Sequence, residues 1–302
     1  MGHAGYLAAF RNGSGRPFCF KYWRKGKAGT GPVHVGGNLK KITVLDIVRM
    51  KAEKRRIVMI TAYDALFAKI FDEVGVDIIL VGDSLGQVVL GLPNTLGVTM
   101  DDMERHTGAA ARGRKRAYLV ADMPFLSFQT GAQDAIRNAG RLLQAGAEGV
   151  KLEGGRNVEA TIRAISACDI PVMGHVGLTP QSIHRMGGYR LQGKTDSQRE
   201  RLLDDAMAVQ EAGAFAVVLE GMPSDLAAEI TGKLEIPTIG IGAGPRCDGQ
   251  VLVMQDLLGL FDEFRPKFVK RFGELKKPVQ DAVRAYADEV REGKFPGKEH
   301  SF

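Results

Sequence analysis

The sequence predicts an α/β protein of the (β/α)8, or TIM-barrel, class: one catalytic domain over residues 39–302 behind an unstructured basic extension over residues 1–38. Three observations carry this expectation. Short, nearly continuous Val/Ile/Leu runs recur along the chain, as in parallel strands covered on both faces. Amphipathic stretches separate them, and several end in Ala-Gly or Val-Gly (Val74-Gly75, Ala145-Gly146, Ala212-Gly213), where glycine can take the left-handed backbone of an αβ turn. Such alternation implies right-handed βαβ units. Seven or eight of them in about 260 residues suit a closed barrel better than the alternative, an open sheet.

Taken in order, Thr43 stands where a capping residue should, before an amphipathic stretch running to Lys54. The strand runs are 57–61, 78–82, 117–121, 148–152, 171–174, 214–219 and 237–241, with a weaker eighth expected within 251–260. The helical stretches are 65–74, 100–113, 132–145, 158–167, 197–212 and 224–234. Two longer connections, 86–100 and 177–196, follow strand ends, where a barrel keeps its functional loops. The second contains Gly187-Gly188-Tyr189-Arg190 and reads either as a lid or as a long surface loop.

Composition excludes several classes. With 302 residues, 44% hydrophobic and 25% charged, the chain is neither wholly disordered nor collagen-like. Cys19, Cys168 and Cys247 form no C-x-x-C pair, which suits a reducing compartment and offers no zinc site. No apolar run approaches the roughly 18 residues of a membrane span, so no membrane partner is expected. The net charge of +6 comes from residues 1–45, which hold eight Lys and Arg and no acid; the remainder has 33 basic against 35 acidic residues. A nucleic-acid-binding protein with a basic arm is therefore a remote alternative. The extension is basic enough to be a mitochondrial transit peptide, but it is low in Ser and forms no amphipathic helix, so a cytoplasmic location is expected.

The strand ends carry the chemistry. Asp83, Asp122, Glu153, His175 and Glu220 each follow an apolar run, where barrel enzymes gather functional side chains. Lys151 and Glu153 are two residues apart and share one side of a strand. Several carboxylates in one confined mouth cannot all stay ionised unaided, and a hard divalent cation held by oxygen ligands, Mg²⁺ or a close relative, resolves this. The alternative for each acid is a helix N-cap. Lys151 either neutralises these acids or grips an anionic substrate, and His175 is either functional or a satisfied core residue. Gly240-Ile-Gly-Ala-Gly244 has the look of a weak anion cradle.

At these residues the sequence resembles the ketopantoate hydroxymethyltransferase family. The segments that carry the resemblance include Ile60-Thr-Ala-Tyr-Asp64, Leu80-Val-Gly-Asp-Ser-Leu-Gly86, Ala121-Asp-Met-Pro-Phe125, Val150-Lys-Leu-Glu-Gly-Gly155, Gly174-His-Val-Gly-Leu-Thr-Pro-Gln-Ser182 and Ile239-Gly-Ile-Gly-Ala-Gly244. The likeness covers about residues 40–302, leaving the extension outside, with harmless differences at Gln255-Asp256 and over 260–265. It implies a homo-oligomeric barrel, often a homodecamer, in pantothenate and coenzyme A biosynthesis. The implied reaction transfers a hydroxymethyl group from 5,10-methylenetetrahydrofolate to 3-methyl-2-oxobutanoate through a Mg²⁺-stabilised enolate, giving 2-dehydropantoate. By motif, Asp83 and Asp122 resemble the metal-binding carboxylates, with Glu153 completing that site directly or through water. Ser84, Asp83, Asp122 and Lys151 resemble the oxo-acid contacts, and Glu220 the proton acceptor. The resemblance assigns no residue to the folate. The runner-up is a Mg²⁺-dependent carbon–carbon lyase or mutase of the phosphoenolpyruvate mutase and isocitrate lyase type.

Overall fold

A computed structural model describes residues 40–262 and 266–302; the expected extension, residues 1–38, lies outside them. Eight strands form the barrel: β1 (Ile57–Thr61), β2 (Ile78–Val81), β3 (Tyr118–Asp122), β4 (Gly149–Glu153), β5 (Val172–Gly177), β6 (Ala216–Glu220), β7 (Thr238–Ile241) and β8 (Gly249–Leu252). Each pairs in parallel with the next, and β8 closes on β1. The expected (β/α)8 barrel is thus the observed fold.

The side-chain alternation of the strands divides the core in two. Inward residues such as Met59, Ile78, Leu80, Tyr118, Val120, Met173, Val218 and Ile239 fill the barrel. Near the amino-terminal end, Tyr118 meets Phe215 edge to face with ring centroids 5.6 Å apart, and Gly149 leaves room for both rings. Outward residues such as Ile79, Leu119, Val150 and Val217 pack under the helices. The first helix, Val44–Ala52, contributes Ile47 and Met50 to the inner cluster and so closes that end of the barrel. Thr43 caps it as expected, with Asp46 completing a capping box. Lys51, at its last turn, donates to Asp248 (2.8 Å) and to the Thr231 carbonyl (2.9 Å), fixing the plug to the β7–β8 side.

The eighth strand differs from expectation. It starts at Gly249 and ends at Leu252, and Met254–Leu258 is helix. Its pattern was hidden because a Cβ at Gly249 would lie 2.6 Å from the Ile57 carbonyl oxygen, so the closing register requires glycine instead of an apolar residue. A second difference is the sixteen-residue helix Lys276–Arg291, which has no buried side chain. Val279, Val283, Tyr286 and Val290 form an exposed stripe along it. On the barrel wall, Val58 of β1 and Gln250 of β8 are register partners that point outward and are both exposed. Among the described residues, therefore, no helix covers the β8–β1 seam as helices cover the other strands. Among the described residues no helix is long and apolar enough to cross a membrane.

Candidate active site

The inward alternation that fills the barrel with apolar residues ends, at the carboxyl end, in charged ones. Asp122 closes β3, Lys151 and Glu153 lie on β4, His175 on β5 and Glu220 closes β6. The register sets Asp122 beside Lys151 and Glu153 beside His175. Asp83 follows β2 after Gly82 and donates its backbone N–H to Asp122 Oδ2 (3.0 Å). A Cβ at Gly82 would lie 2.8 Å from Ser84 Oγ, so this turn needs the small residue to bring Ser84 and Asp122 together. All six, with Ser84, line one cavity of about 410 Å³. Every expected site residue therefore faces the same cavity.

None of Asp83, Asp122 and Glu153 caps a helix, which removes the N-cap reading for these acids. Lys151 Nζ lies 2.7 Å from Asp122 Oδ1 and 3.3 Å from His175 Nδ1. The His175 ring stands between two acids, with Nδ1 3.5 Å from Glu153 Oε1 and Nε2 3.2 Å from Glu220 Oε2. Burial and the Lys151 ammonium push its pKa down, but Glu153 and Glu220 outweigh them and hold it at about 9. Burial likewise works against the Lys151 charge, yet Asp122, Glu153 and Asp83 raise its pKa above the ordinary lysine range. The Asp83 carboxyl is pushed well above its ordinary range, first by burial and then by the negative Asp122 and Glu153.

Two residues escaped the sequence reading. Gln181 donates its backbone N–H to Glu153 Oε2 (2.9 Å) and its side-chain amide to Asp83 Oδ2 (2.8 Å) and the Met123 carbonyl (2.9 Å). Buried between β2, β3 and β4, it ties two of the acids to one backbone. Tyr63 sets its hydroxyl 2.9 Å from Ser84 Oγ. Both lie inside segments that carried the resemblance, but an uncharged side chain gave no separate signal. At the Gly240–Gly244 turn, Cβ atoms at Gly242 and Gly244 would meet Phe268 and Ser224, and Gly242 lines the cavity. The 177–196 connection does reach the mouth, where Tyr189, Arg190 and Leu191 line the cavity.

The residues present fit a hard divalent cation. Four carboxyls at the strand ends (Asp83, Asp122, Glu153, Glu220) face Lys151 and His175; with Asp256, Arg190 and Lys267, which also line the cavity, five carboxyls meet four basic groups, an excess of one negative charge when all are ionised. Asp122 Oδ1 is buried without a well-directed hydrogen bond. Even so, among the described residues no three His, Cys, Asp or Glu groups are gathered as a ready-made cage. The expected trio of metal-binding acids is therefore not assembled as a trio. Asp83 and Asp122 are neighbours, while Glu153 is turned toward the Gln181 N–H and His175. Two carboxylates suffice for Mg²⁺, which keeps positions for water and substrate oxygens.

A family profile described as ketopantoate hydroxymethyltransferase matches residues 41–298. The chain belongs to the ketopantoate hydroxymethyltransferase family. It is 61% identical over 264 residues to the 3-methyl-2-oxobutanoate hydroxymethyltransferase of Pelobacter propionicus, covering 87% of this chain and 98% of the relative. A relative of the same name from Geobacter sulfurreducens is 61% identical over 261 residues, covering 86% and 98%. That from Caldicellulosiruptor bescii is 53% identical, covering 87% and 100%. Among solved structures, a phosphonopyruvate hydrolase in complex with oxalate and Mg²⁺ superposes with a TM-score of 0.56 at 15% identity, covering 86% of this chain and 93% of that one. A 2,3-dimethylmalate lyase of the phosphoenolpyruvate mutase/isocitrate lyase superfamily gives 0.54 at 16%, covering 85% and 91%. At such identity these two share the barrel with this hydroxymethyltransferase family member, and only that. The runner-up chemistry thus has the fold in common while the sequence match goes to the hydroxymethyltransferases.

Proposed function

We propose that this chain transfers a hydroxymethyl group from 5,10-methylenetetrahydrofolate to 3-methyl-2-oxobutanoate, giving 2-dehydropantoate and tetrahydrofolate on the way to pantothenate and coenzyme A. The observation that carries this reading is the cluster of Asp83, Asp122, Lys151 and Glu220 around one cavity in a chain 61% identical to 3-methyl-2-oxobutanoate hydroxymethyltransferases. Asp83 and Asp122 would hold a hard divalent cation such as Mg²⁺, which when bound would supply Lewis acidity at the 2-oxo group.

The chain's own residues do the rest. Lys151, locked on β4 by Asp122, offsets the charge of the substrate carboxylate. Ser84, whose Oγ meets the Tyr63 hydroxyl, donates to a substrate oxygen and fixes its plane. Glu220, the least buried of the four acids and on the far side of the mouth, takes the proton from C3 of the oxo acid. His175 Nε2, 3.2 Å from Glu220 Oε2, sets an imidazole beside that carboxylate and offsets its charge. General-base help of this kind is worth about 10²–10⁴-fold. The electron pair left on C3 attacks the one-carbon unit of the folate, water supplies the hydroxyl oxygen, and tetrahydrofolate leaves. Gln181 keeps Asp83 and Glu153 apart, and Glu153 contributes to the cation's surroundings through that bridge.

We also propose self-association, with the homodecamer as the expected assembly, and a cytoplasmic location. The exposed Val279–Val290 stripe and the uncovered Val58/Gln250 seam support the first. The likeness to bacterial relatives supports the second over a mitochondrial one. The test of function is an assay of purified protein with oxo acid, methylene-folate and Mg²⁺, each omitted in turn. Loss of product on every omission is expected; folate-independent C–C cleavage would instead support a lyase.

A further inference from the structure

Beside the catalytic mouth lies a second basin of about 450 Å³, whose lining includes Arg185, Arg190, Lys194 and Arg201 and no acidic residue. Arg190 and Leu191 line both this basin and the catalytic cavity, so the two adjoin. Residues 170–195, which supply three of the four cations, contain no Asp or Glu. Among the described residues none of the four side chains is held in an ion pair or hydrogen bond, whereas Arg199, on the same helix as Arg201, pairs with Asp225 at 2.8 Å. Were these cations present to neutralise the acids of the mouth, they would pair with them; Lys151 and His175 do so instead.

We propose that this basin receives the glutamate end of the folate co-substrate, and in particular a chain of γ-linked glutamates; the inference rests on the folate-dependent reading above. The one-carbon unit of such a molecule sits on its ring system and must enter the mouth, close to Glu220. Its other end carries one carboxylate for every added γ-glutamate, and those charges are repelled by the four carboxyls clustered at the strand ends. Tyr189 and Leu191, exposed and lining the cavity, offer apolar surface for the rings, and Arg190 stands where the two spaces adjoin. An open, positively charged basin suits a tail of variable length better than a single phosphate, which would call for a closed cradle.

The test compares the wild type with the triple variant R185Q/K194Q/R201Q, which leaves every residue of the catalytic cavity in place. Both are assayed with the monoglutamate and the triglutamate of 5,10-methylenetetrahydrofolate, and both are titrated calorimetrically with γ-linked triglutamate and with tripolyphosphate. The wild type is expected to show a KM roughly tenfold lower for the triglutamate form, since several carboxylates engage a multivalent site. The variant loses that preference, while its oxo-acid KM and its kcat at saturating folate stay the same. No preference in the wild type, or a preference that survives in the variant, overturns the proposal. So does tripolyphosphate binding as tightly as triglutamate, the mark of an unselective anion patch. Absence of turnover with either folate sinks the enzymatic reading instead, and the triglutamate titration then still decides whether the basin is a γ-glutamate site.

Discussion

Asp122 and Lys151 are register partners on adjacent strands, and their buried side chains meet at 2.7 Å. The strand ladder therefore fixes the spacing between the acid proposed to hold the cation and the ammonium proposed to face the substrate, with no loop involved. In Asp122→Asn, EDTA-sensitive turnover should fall by about 100-fold or more while the far-ultraviolet circular dichroism is retained. Wild-type activity that ignores EDTA would contradict the cation's part.

Glu220 is expected to act on one proton only. Glu220→Gln should slow deuterium exchange at C3 of 3-methyl-2-oxobutanoate by about 10²–10⁴-fold and leave the oxo-acid KM nearly unchanged. Exchange at the wild-type rate, followed by proton NMR, removes Glu220 as the base.

Gln181 touches the acids and no reacting atom. Gln181→Ala should lower activity by roughly 10–100-fold and weaken Mg²⁺ affinity by a similar factor, the usual cost of losing a partner that orients a ligand. Gln181→Glu, which adds a fifth carboxyl to the cluster, should be worse in both respects. Equal Mg²⁺ titration curves for wild type and both variants would refute the positioning role.

Asp102 closes the capping box of the helix Met100–Gly113, and the Thr99 hydroxyl and backbone N–H hold its carboxyl below the ordinary range. Because the native pKa is depressed, its contribution is present above the unfolded value of about 3.9 and lost as pH falls through the native one. Asp102→Asn should therefore be less stable than wild type near neutrality, and the gap in urea midpoints should narrow between about pH 5 and pH 3. A gap independent of pH would show that charge has no part in the cap.

Val283 lies at the centre of the exposed stripe on Lys276–Arg291. Val283→Asp should shift the protein to smaller assemblies in analytical ultracentrifugation while the barrel stays folded, because among the described residues no side chain of that helix is buried. An unchanged sedimentation profile would argue that the stripe serves another purpose.

Much of the site could be read before the fold was known, because a barrel writes its chemistry at strand ends. Asp122, Glu153 and Glu220 each close a strand in the structure, as their position after apolar runs suggested. Glu153 shows the limit of that reading: its place was legible, its engagement with Gln181 and His175 was not. Gln181 and Tyr63 are uncharged, and their importance lies in which atoms they reach across the mouth.

The sequence by itself determined the alternation of elements, seven of the eight strands, the cap at Thr43 and the acids at the strand tips, because these depend on side-chain period and on contacts three residues away. Only the tertiary structure decided the closure at Gly249, the uncovered Val58/Gln250 seam, the Gln181 bridge and the basic basin beside the mouth. Each of these joins positions distant along the chain, and a local pattern carries no information about what the opposite side of a barrel will bring near.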